Sequence, residues 1–201
     1  MKTTSTFFKL LFGALLLFNI VLVSILSYML LNDKSSSFME AEKITIKDDD
    51  TGNNRIVIAN TKYIPDPIVG GKTFQRAYKP AGLIFYDKNG NERGGLAITD
   101  NEETNLNALA FDYQNADAIG ILAQDNKHDN YFRAGLFIND KDLSGKPGYN
   151  IDRINLMTEN GNASLIMKDH NEVPRIVLKV DSLGNPTIQM FDENGKTKWQ
   201  N

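Results

Sequence analysis

The spacing of hydrophobic residues divides the chain into two parts. Residues 10–31 form one nearly unbroken apolar run, whereas from residue 43 onward hydrophobic and polar residues alternate in short stretches between polar turns. About 20 apolar residues are enough for a helix to cross the hydrocarbon core of a bilayer. Alternation with a period of two is typical of β-strands. We therefore predict one transmembrane helix followed by a mainly β domain.

The apolar run fits an uncleaved anchor better than a cleaved signal peptide. It exceeds the about 7–15 apolar residues of a signal peptide, and its end at 27–31 lacks a small-x-small cleavage site. Lys2 and Lys9 precede the run, so the positive-inside rule places the N-terminus in the cytoplasm. We predict a cytoplasmic N-terminus over 1–9, a transmembrane signal anchor over 10–31, a linker over 32–42 and an extracytoplasmic β-domain over 43–201.

Residues 83–98 have the pattern of a β-hairpin, with two β-prone runs on either side of Asn89-Gly90. Both turn residues tolerate positive φ, which tight hairpins need. The hairpin patterns at 164–176 and 187–199 align with each other at an offset of 23 residues. We predict about eleven strands in an antiparallel meander. Because such a sheet must protect its edges, we expect a barrel-like or sandwich domain, and the pattern does not distinguish the two.

One long segment, residues 60–81, interrupts this pattern with prolines and glycines. Its ordinary interpretation is a self-packed connection that covers part of the sheet. The alternative is a loop that recognises something anionic, such as a lipid headgroup or an envelope polymer, because the segment is locally basic and aromatic. The candidate binding residues for that alternative are Tyr63, Lys72, Phe74, Arg76, Tyr78 and Lys79.

Composition argues against several classes of function. Lys2 and Lys9 are the only charged side chains before Asp33, which leaves 20 Lys and Arg against 25 Asp and Glu in the rest of the chain. This acidic balance argues against a nucleic-acid partner. The chain has no cysteine, so thiolate metal sites and cysteine nucleophiles are excluded. No cofactor is predicted.

No catalytic or metal-ligating residue can be nominated from the sequence. His128 and His170 both fall in polar hairpin tips, and no nucleophile or phosphate-loop motif occurs. Acidic turns such as 48–52 superficially match the start of a calcium loop, but turn chemistry explains their spacing. A carboxylate pair could form in space, yet among 25 acidic residues the sequence gives no way to choose it.

Residues 54–98 carry the runs NRIVIAN and PDPIVGGKTFQRAYKPAGLIFYDKNGNERGGL. These runs resemble a group of uncharacterised bacterial proteins with one N-terminal membrane segment and a β-rich domain. The resemblance extends more weakly to Trp199. It implies a bacterial origin and the same layout. No activity is assigned to that group, so the resemblance implies no site residues.

Three functions fit these observations. The first is a non-enzymatic, membrane-anchored domain that binds an envelope component or a partner protein. The second is a carrier that holds a small apolar molecule in a barrel lumen, and the third is an enzyme acting on cell-surface glycan or lipid. A closed, dry cavity would favour the carrier, and a cleft with two carboxylates of shifted pKa would favour the enzyme. The partners predicted are the bilayer, through residues 10–31, and an envelope polymer or protein.

Overall fold

The computed structural model describes residues 3–32, 38–76 and 78–201. The predicted N-terminus at 1–9 and linker at 32–42 therefore lie partly outside the described residues. Contacts within the chain define two compact units, Met1–Glu40 and Ala41–Asn201.

The first unit contains one helix, α1, over Thr3–Asn32. Its segment Phe7–Leu31 has 25 residues with a mean hydropathy of 2.5, so by length and composition it could cross a membrane. Two polar side chains inside the segment bond to the backbone one turn earlier. Asn19 Nδ2 donates to the Leu15 carbonyl and Ser24 Oγ donates to the Ile20 carbonyl, both at 2.8 Å. These polar groups are thus satisfied within the helix, as an apolar surrounding requires. The apolar N-terminal helix is confirmed.

The second unit is built from strands. In the order of the chain they are β1 Lys43–Lys47, β2 Asn54–Ala59, β3 Ile68–Val69, β4 Lys72–Thr73, β5 Ala81–Tyr86, β6 Glu92–Asp100, β7 Thr104–Asp112, β8 Asp117–Asn126, β9 Phe132–Lys141, β10 Asn150–Glu159, β11 Asn162–Lys168, β12 Pro174–Val180, β13 Pro186–Phe191 and β14 Thr197–Gln200.

Twelve of these strands form one antiparallel sheet in the order β1-β2-β5-β6-β7-β8-β9-β10-β11-β12-β13-β14, and β3 and β4 form a separate hairpin. The mainly β class and the meander order are confirmed. The expectation of a barrel is wrong, because the sheet is open and β1 and β14 each pair with a single neighbour. The twelve strands also form one sheet rather than the two sheets of a sandwich. The alternation within a strand shows which of its side chains share the apolar face. Whether the sheet closes into a barrel depends instead on the tilt of the strands and the stagger between them.

The two faces of the sheet differ in composition. On face 1, one Leu or Ile from each sheet strand up to β13 joins a continuous row of register partners: Ile44, Ile58, Leu83, Leu96, Leu109, Ile121, Leu136, Leu156, Leu165, Leu178 and Ile188. A second row on the same face contains Ile46, Ile56, Phe85, Phe111, Ile119, Ile138, Ile154, Met167, Ile176, Met190 and Trp199.

The buried core lies on the opposite side, face 2, at the N-terminal end of the sheet. It consists of Val57, Ala59, Ile84 and Tyr86 from β2 and β5, together with Ile64 from segment 60–80. That segment leaves β2 at one end of the strands and reaches the other end, where the Gly71 amide donates to Asn91 Oδ1 at 2.7 Å. It thus crosses face 2 and covers the core. The predicted self-packed connection therefore contains a small hairpin, β3–β4.

Several turns share one hydrogen-bond pattern. The aspartate that opens each turn accepts backbone N–H bonds through Oδ1 from residues two and four positions later, as seen at Asp87, Asp169, Asp181 and Asp192. The third residue after the aspartate has positive φ and is glycine in every case except Glu172. The predicted turn chemistry of Asp and Gly explains these connections.

Candidate functional site

A cleft of about 280 Å³ opens on face 2 beside segment 60–80. The β3–β4 hairpin forms one wall through Pro67, Val69 and Phe74, and the floor carries three acidic residues from the sheet. The turn between β7 and β8, residues 113–116, and the loop between β9 and β10 complete the walls. The cleft therefore lies where three connections converge at the same end of the strands.

The acidic residues of the floor are Glu92, Asp112 and Asp117. Asp112 and Asp117 are register partners across β7 and β8, and their carboxyl groups are hydrogen-bonded to each other. Burial first, and then the neighbouring Asp117 charge, raise the pKa of Asp112 to about 7. Asp112 is thus the carboxyl group that keeps its proton toward neutral pH, because its charged form is disfavoured in a partly buried place beside another acid. The Oδ1 atom of Asp112 is buried without a hydrogen-bond donor among the described residues.

Glu92 stands beside this pair and has a cation of its own. Its Oε2 atom accepts a hydrogen bond from Arg76 Nη2 at 2.5 Å, and both side chains are largely buried, with 15% and 12% of their surface exposed for Arg76 and Glu92. Burial raises the pKa of Glu92, and the Arg76 charge opposes that shift. Arg76 Nε also donates to the Pro65 carbonyl at 2.8 Å. This ion pair fixes segment 60–80 to β6.

The three buried polar residues of the described part of the chain are asparagines, and all of them hold the cleft together. Asn91 anchors the β3–β4 hairpin through Gly71. Asn115 Nδ2 donates to three carbonyls of the loop between β9 and β10, at 2.7 Å for Tyr149. Asn139 Nδ2 donates to the Asp117 carbonyl at 3.0 Å. Buried hydrogen bonds of this kind make the walls rigid before any ligand arrives.

A second cavity of about 420 Å³ adjoins the first and shares Val69, Asn115 and two other residues with it. Its lining includes two exposed lysines, Lys72 and Lys141. In the described part of the chain, neither lysine forms an ion pair. The combined groove is therefore acidic at one end and basic at the other.

The structure separates the candidate residues of segment 60–81. Tyr63 packs against the core, with Lys62 Nζ 4.8 Å from its ring centroid. Phe74 lines the acidic cleft, Lys72 lines the adjoining cavity, and Arg76 is neutralised by Glu92. The two remaining candidates, Tyr78 and Lys79, are exposed and line neither cavity. Recognition of an anion by this segment stays a prediction, with Lys72 and Lys79 as the exposed cations among its candidate residues.

The other polar clusters have local explanations. Asp48, Asp49 and Asp50 bring their carboxylates within 4.8 Å of one another. Asp48, however, accepts hydrogen bonds from the Thr51 amide at 3.0 Å and from Arg55 at 2.8 Å, which lower its pKa to about 2. His128 and His170 are both exposed in turns, as predicted.

Sequence reasoning missed the acidic pair and the asparagines. Asp112 and Asp117 flank the four-residue turn between β7 and β8, so their spacing could have placed them opposite each other. Asn91 and Asn115 carry no such signal, because asparagine is ordinary in turns and only the tertiary structure buries it.

No protein family, curated protein or solved structure matches this chain. The function must therefore be argued from the cleft.

Proposed function

We propose that this protein is a membrane-anchored binding protein whose β-domain lies outside the cytoplasm and captures an envelope component or a partner protein. The N-terminal helix supplies the anchor, and Lys2 and Lys9 before it favour a cytoplasmic N-terminus. The cleft that holds Asp112 and Asp117 is the ligand site in this proposal.

The observation that carries the proposal is the preformed wall of the cleft. Three buried asparagines and one buried ion pair fasten separate connections around one concavity. Burying such polar groups is costly unless their hydrogen bonds are made, and folding alone does not require them at a single place. A concave site with apolar walls and a few convergent polar groups is the usual form of a ligand site.

The chemistry of the floor indicates the kind of ligand. Asp112 Oδ1 and Asn115 Oδ1 are both buried acceptors without partners among the described residues. Acceptors and carboxylates select groups that donate hydrogen bonds, such as amines and hydroxyls, and Phe74 offers an apolar surface beside them. We therefore infer a donor-rich ligand with a cationic amine at the acidic end of the groove.

The test uses the full chain in lipid nanodiscs and three probes of defined charge. Chitosan oligosaccharide supplies amines and hydroxyls, its fully N-acetylated counterpart supplies hydroxyls without the charge, and poly-glutamate supplies anions. We expect calorimetry to detect chitosan binding that weakens about tenfold in Asp112→Asn/Asp117→Asn, since each lost charged hydrogen bond is worth about 1.5–3 kcal/mol. Asp125→Asn, at the far end of β8, is the matched control and should leave binding unchanged.

Two results would contradict the inference. Equal affinity for both sugars would show that the amine charge is not recognised. Binding of poly-glutamate alone, reduced by Lys72→Ala/Lys79→Ala, would instead support the anion-binding loop.

The same acidic pair favours one alternative, acid–base catalysis on a bound glycan. A carboxyl group with a pKa of about 7 can exchange protons near neutral pH. Asp112 and Asp117 are in hydrogen-bond contact, closer than the about 5–9.5 Å between the carboxylates of most glycosidases, so Glu92 would have to serve as the second group. Cleavage of the N-acetylated oligosaccharide, seen by mass spectrometry and lost in Glu92→Gln, would identify the enzyme. The carrier alternative lacks its lumen, because the sheet is not closed.

A further inference from the structure

Face 1 of the sheet is apolar along its whole length and lies uncovered in the described residues. The exposure pattern on β8 is the reverse of an ordinary amphipathic strand. Ile121 is 52% exposed on face 1, whereas Gly120 on face 2 is buried. Leu156 on β10 is also 52% exposed. Contiguous apolar surface of this extent marks an interaction site.

We propose that a second copy of this chain covers face 1, with the two sheets packed face to face around a two-fold axis that runs along the sheet. β1 then lies opposite β1, and β13 lies opposite β13. In such an arrangement each apolar row meets the rows of the partner copy, as an isologous interface requires.

The area of face 1 is sufficient for a stable dimer. Twelve strands spaced by about 4.8 Å span about 53 Å, and two rows of alternate residues add a width of about 14 Å. The footprint is therefore about 740 Å² for each copy, close to the about 800 Å² that each partner contributes to a standard interface. Aligned sheets pack with their inner side chains interdigitated, which regularly spaced aliphatic rows permit.

The shape of face 1 also selects its occupant. A partner must present an apolar surface about 53 Å long, and face 1 of a second copy is such a surface. The apolar segment of α1 spans about 38 Å as a helix, too short to cover both rows from end to end. An anionic membrane surface is disfavoured as well, because Asp100 and Asp125 extend the same face beyond the apolar rows.

The proposed axis agrees with a membrane anchor on each chain. Both copies enter their sheets at β1, and the two-fold axis along the sheet keeps the two β1 strands at the same end of the dimer. Two anchored chains in one membrane need that arrangement. An axis across the sheet would place the β1 strands of the two copies at opposite ends.

The absence of cysteine makes this proposal directly testable. Ala123→Cys places one thiol on face 1 of β8, and Ala118→Cys places one on face 2 of the same strand. The full chain carrying either change is treated in its native membrane with a bismaleimide that reaches about 25 Å, because the proposed axis places the two copies of position 123 about 20 Å apart along the strands and about 10 Å apart across the packed sheets. We expect a dimer-sized product from Ala123→Cys and at least about tenfold less from Ala118→Cys.

A second pair of variants removes the interface without relying on thiol position. Leu156→Glu/Ile188→Glu adds two charges to face 1, and Ser164→Glu/Gln189→Glu adds the same two charges to face 2 as a matched control. On the Ala123→Cys background, the face 1 pair should reduce the product about tenfold or more, because a charge buried in an apolar interface is costly. The face 2 pair should leave it unchanged. Circular dichroism checks that each variant is folded.

Three results would overturn the proposal. A monomer-sized species from Ala123→Cys would show that face 1 does not meet its counterpart. A product that mass spectrometry identifies as containing a different polypeptide would assign face 1 to another protein, and a trimer-sized product would exclude the two-fold axis. None of these results depends on ligand binding in the cleft, which lies on face 2.

Discussion

Asp112 and Asp117 face each other across the β7–β8 turn with their carboxyl groups hydrogen-bonded, and burial raises the pKa of Asp112 to about 7. Like charges opposite each other in a sheet are destabilising, so ordinary folding would select against this pair. A pair of acidic groups with a shifted pKa at the floor of a cleft is typical of functional sites, where residues serve a function at some cost to the stability of the fold.

This pair predicts how stability depends on pH. The carboxyl group of Asp112 has a pKa of 3.8 before folding and about 7 after it, so the folded state favours the protonated form. Stability is therefore lost as the pH rises from about 4 to about 7. We expect Asp112→Asn to be more stable than the wild type at pH 8, by on the order of 1–3 kcal/mol, and to have a flatter profile. Urea denaturation at several pH values measures this.

Asp125→Asn is the matched control, because Asp125 is exposed at the opposite end of β8. Its pH profile should follow the wild type. A wild-type profile that does not fall between pH 4 and 7, or an Asp112→Asn profile of the same shape, would show that Asp112 is not protonated in the folded state.

The Arg76–Glu92 ion pair predicts a large effect of removing one partner. Arg76→Ala leaves Glu92 buried without its cation, which costs about 3 kcal/mol or more at neutral pH. The loss should be smaller at pH 5, because burial raises the pKa of Glu92 and the protonated carboxyl needs no cation. Chemical denaturation at both pH values measures the difference.

The double variant Arg76→Ala/Glu92→Gln separates the charge from the packing. Removing both charges should restore part of the stability that Arg76→Ala loses. If the double variant were as unstable as the single one, the stability would come from the apolar stem of Arg76 rather than from the ion pair.

We predict that the side chain of Asn115 keeps one wall of the cleft, the loop between β9 and β10, rigid. Asn115→Ala removes three hydrogen bonds to carbonyls of the loop between β9 and β10. We expect hydrogen exchange in residues 142–149 to become about tenfold faster or more, while exchange in β7 changes little. Gln114→Ala is the control, because Gln114 is the exposed neighbour in the same turn. Unchanged exchange in the loop would mean that other contacts hold this wall.

The strands and their turns were predictable because both depend on local chemistry. The Asn89-Gly90 turn gave its hairpin at 83–98, and an aspartate such as Asp192 marks a turn through backbone hydrogen bonds close in sequence. The alternation on each strand is also local. The open sheet was not predictable, because alternation within one strand carries no information on the tilt and stagger between strands that would close a sheet.

The cleft depends on contacts far apart in the sequence. Gly71 meets Asn91 and Arg76 meets Glu92 only after segment 60–80 crosses face 2. The locally basic pattern of that segment suggested exposed cations, yet Arg76 is paired and largely buried. The position of this connection could therefore be predicted from the sequence. Which of its charged side chains are exposed and which are paired could be seen only in the structure.

Gly94 provides the last prediction, because it combines positive φ with a close approach between strands. Its φ is 116°, and a Cβ there would lie 2.2 Å from the Ala110 carbonyl oxygen. The rings of Phe85 and Phe111, from the strands on either side, stack with centroids 6.0 Å apart. An aromatic pair of this kind compensates for the packing that a strand glycine lacks.

We expect Gly94→Ala to cost about 3 kcal/mol or more, since it adds a backbone clash to the about 1 kcal/mol of left-handed strain. Gly184→Ala is the matched control, because Gly184 has a φ of 89° with open space around its Cβ position, and it should cost about 1 kcal/mol. Urea denaturation compares the two variants. Equal losses would mean that β6 and β7 can separate to admit the methyl group, and that the glycine is required only for its backbone conformation.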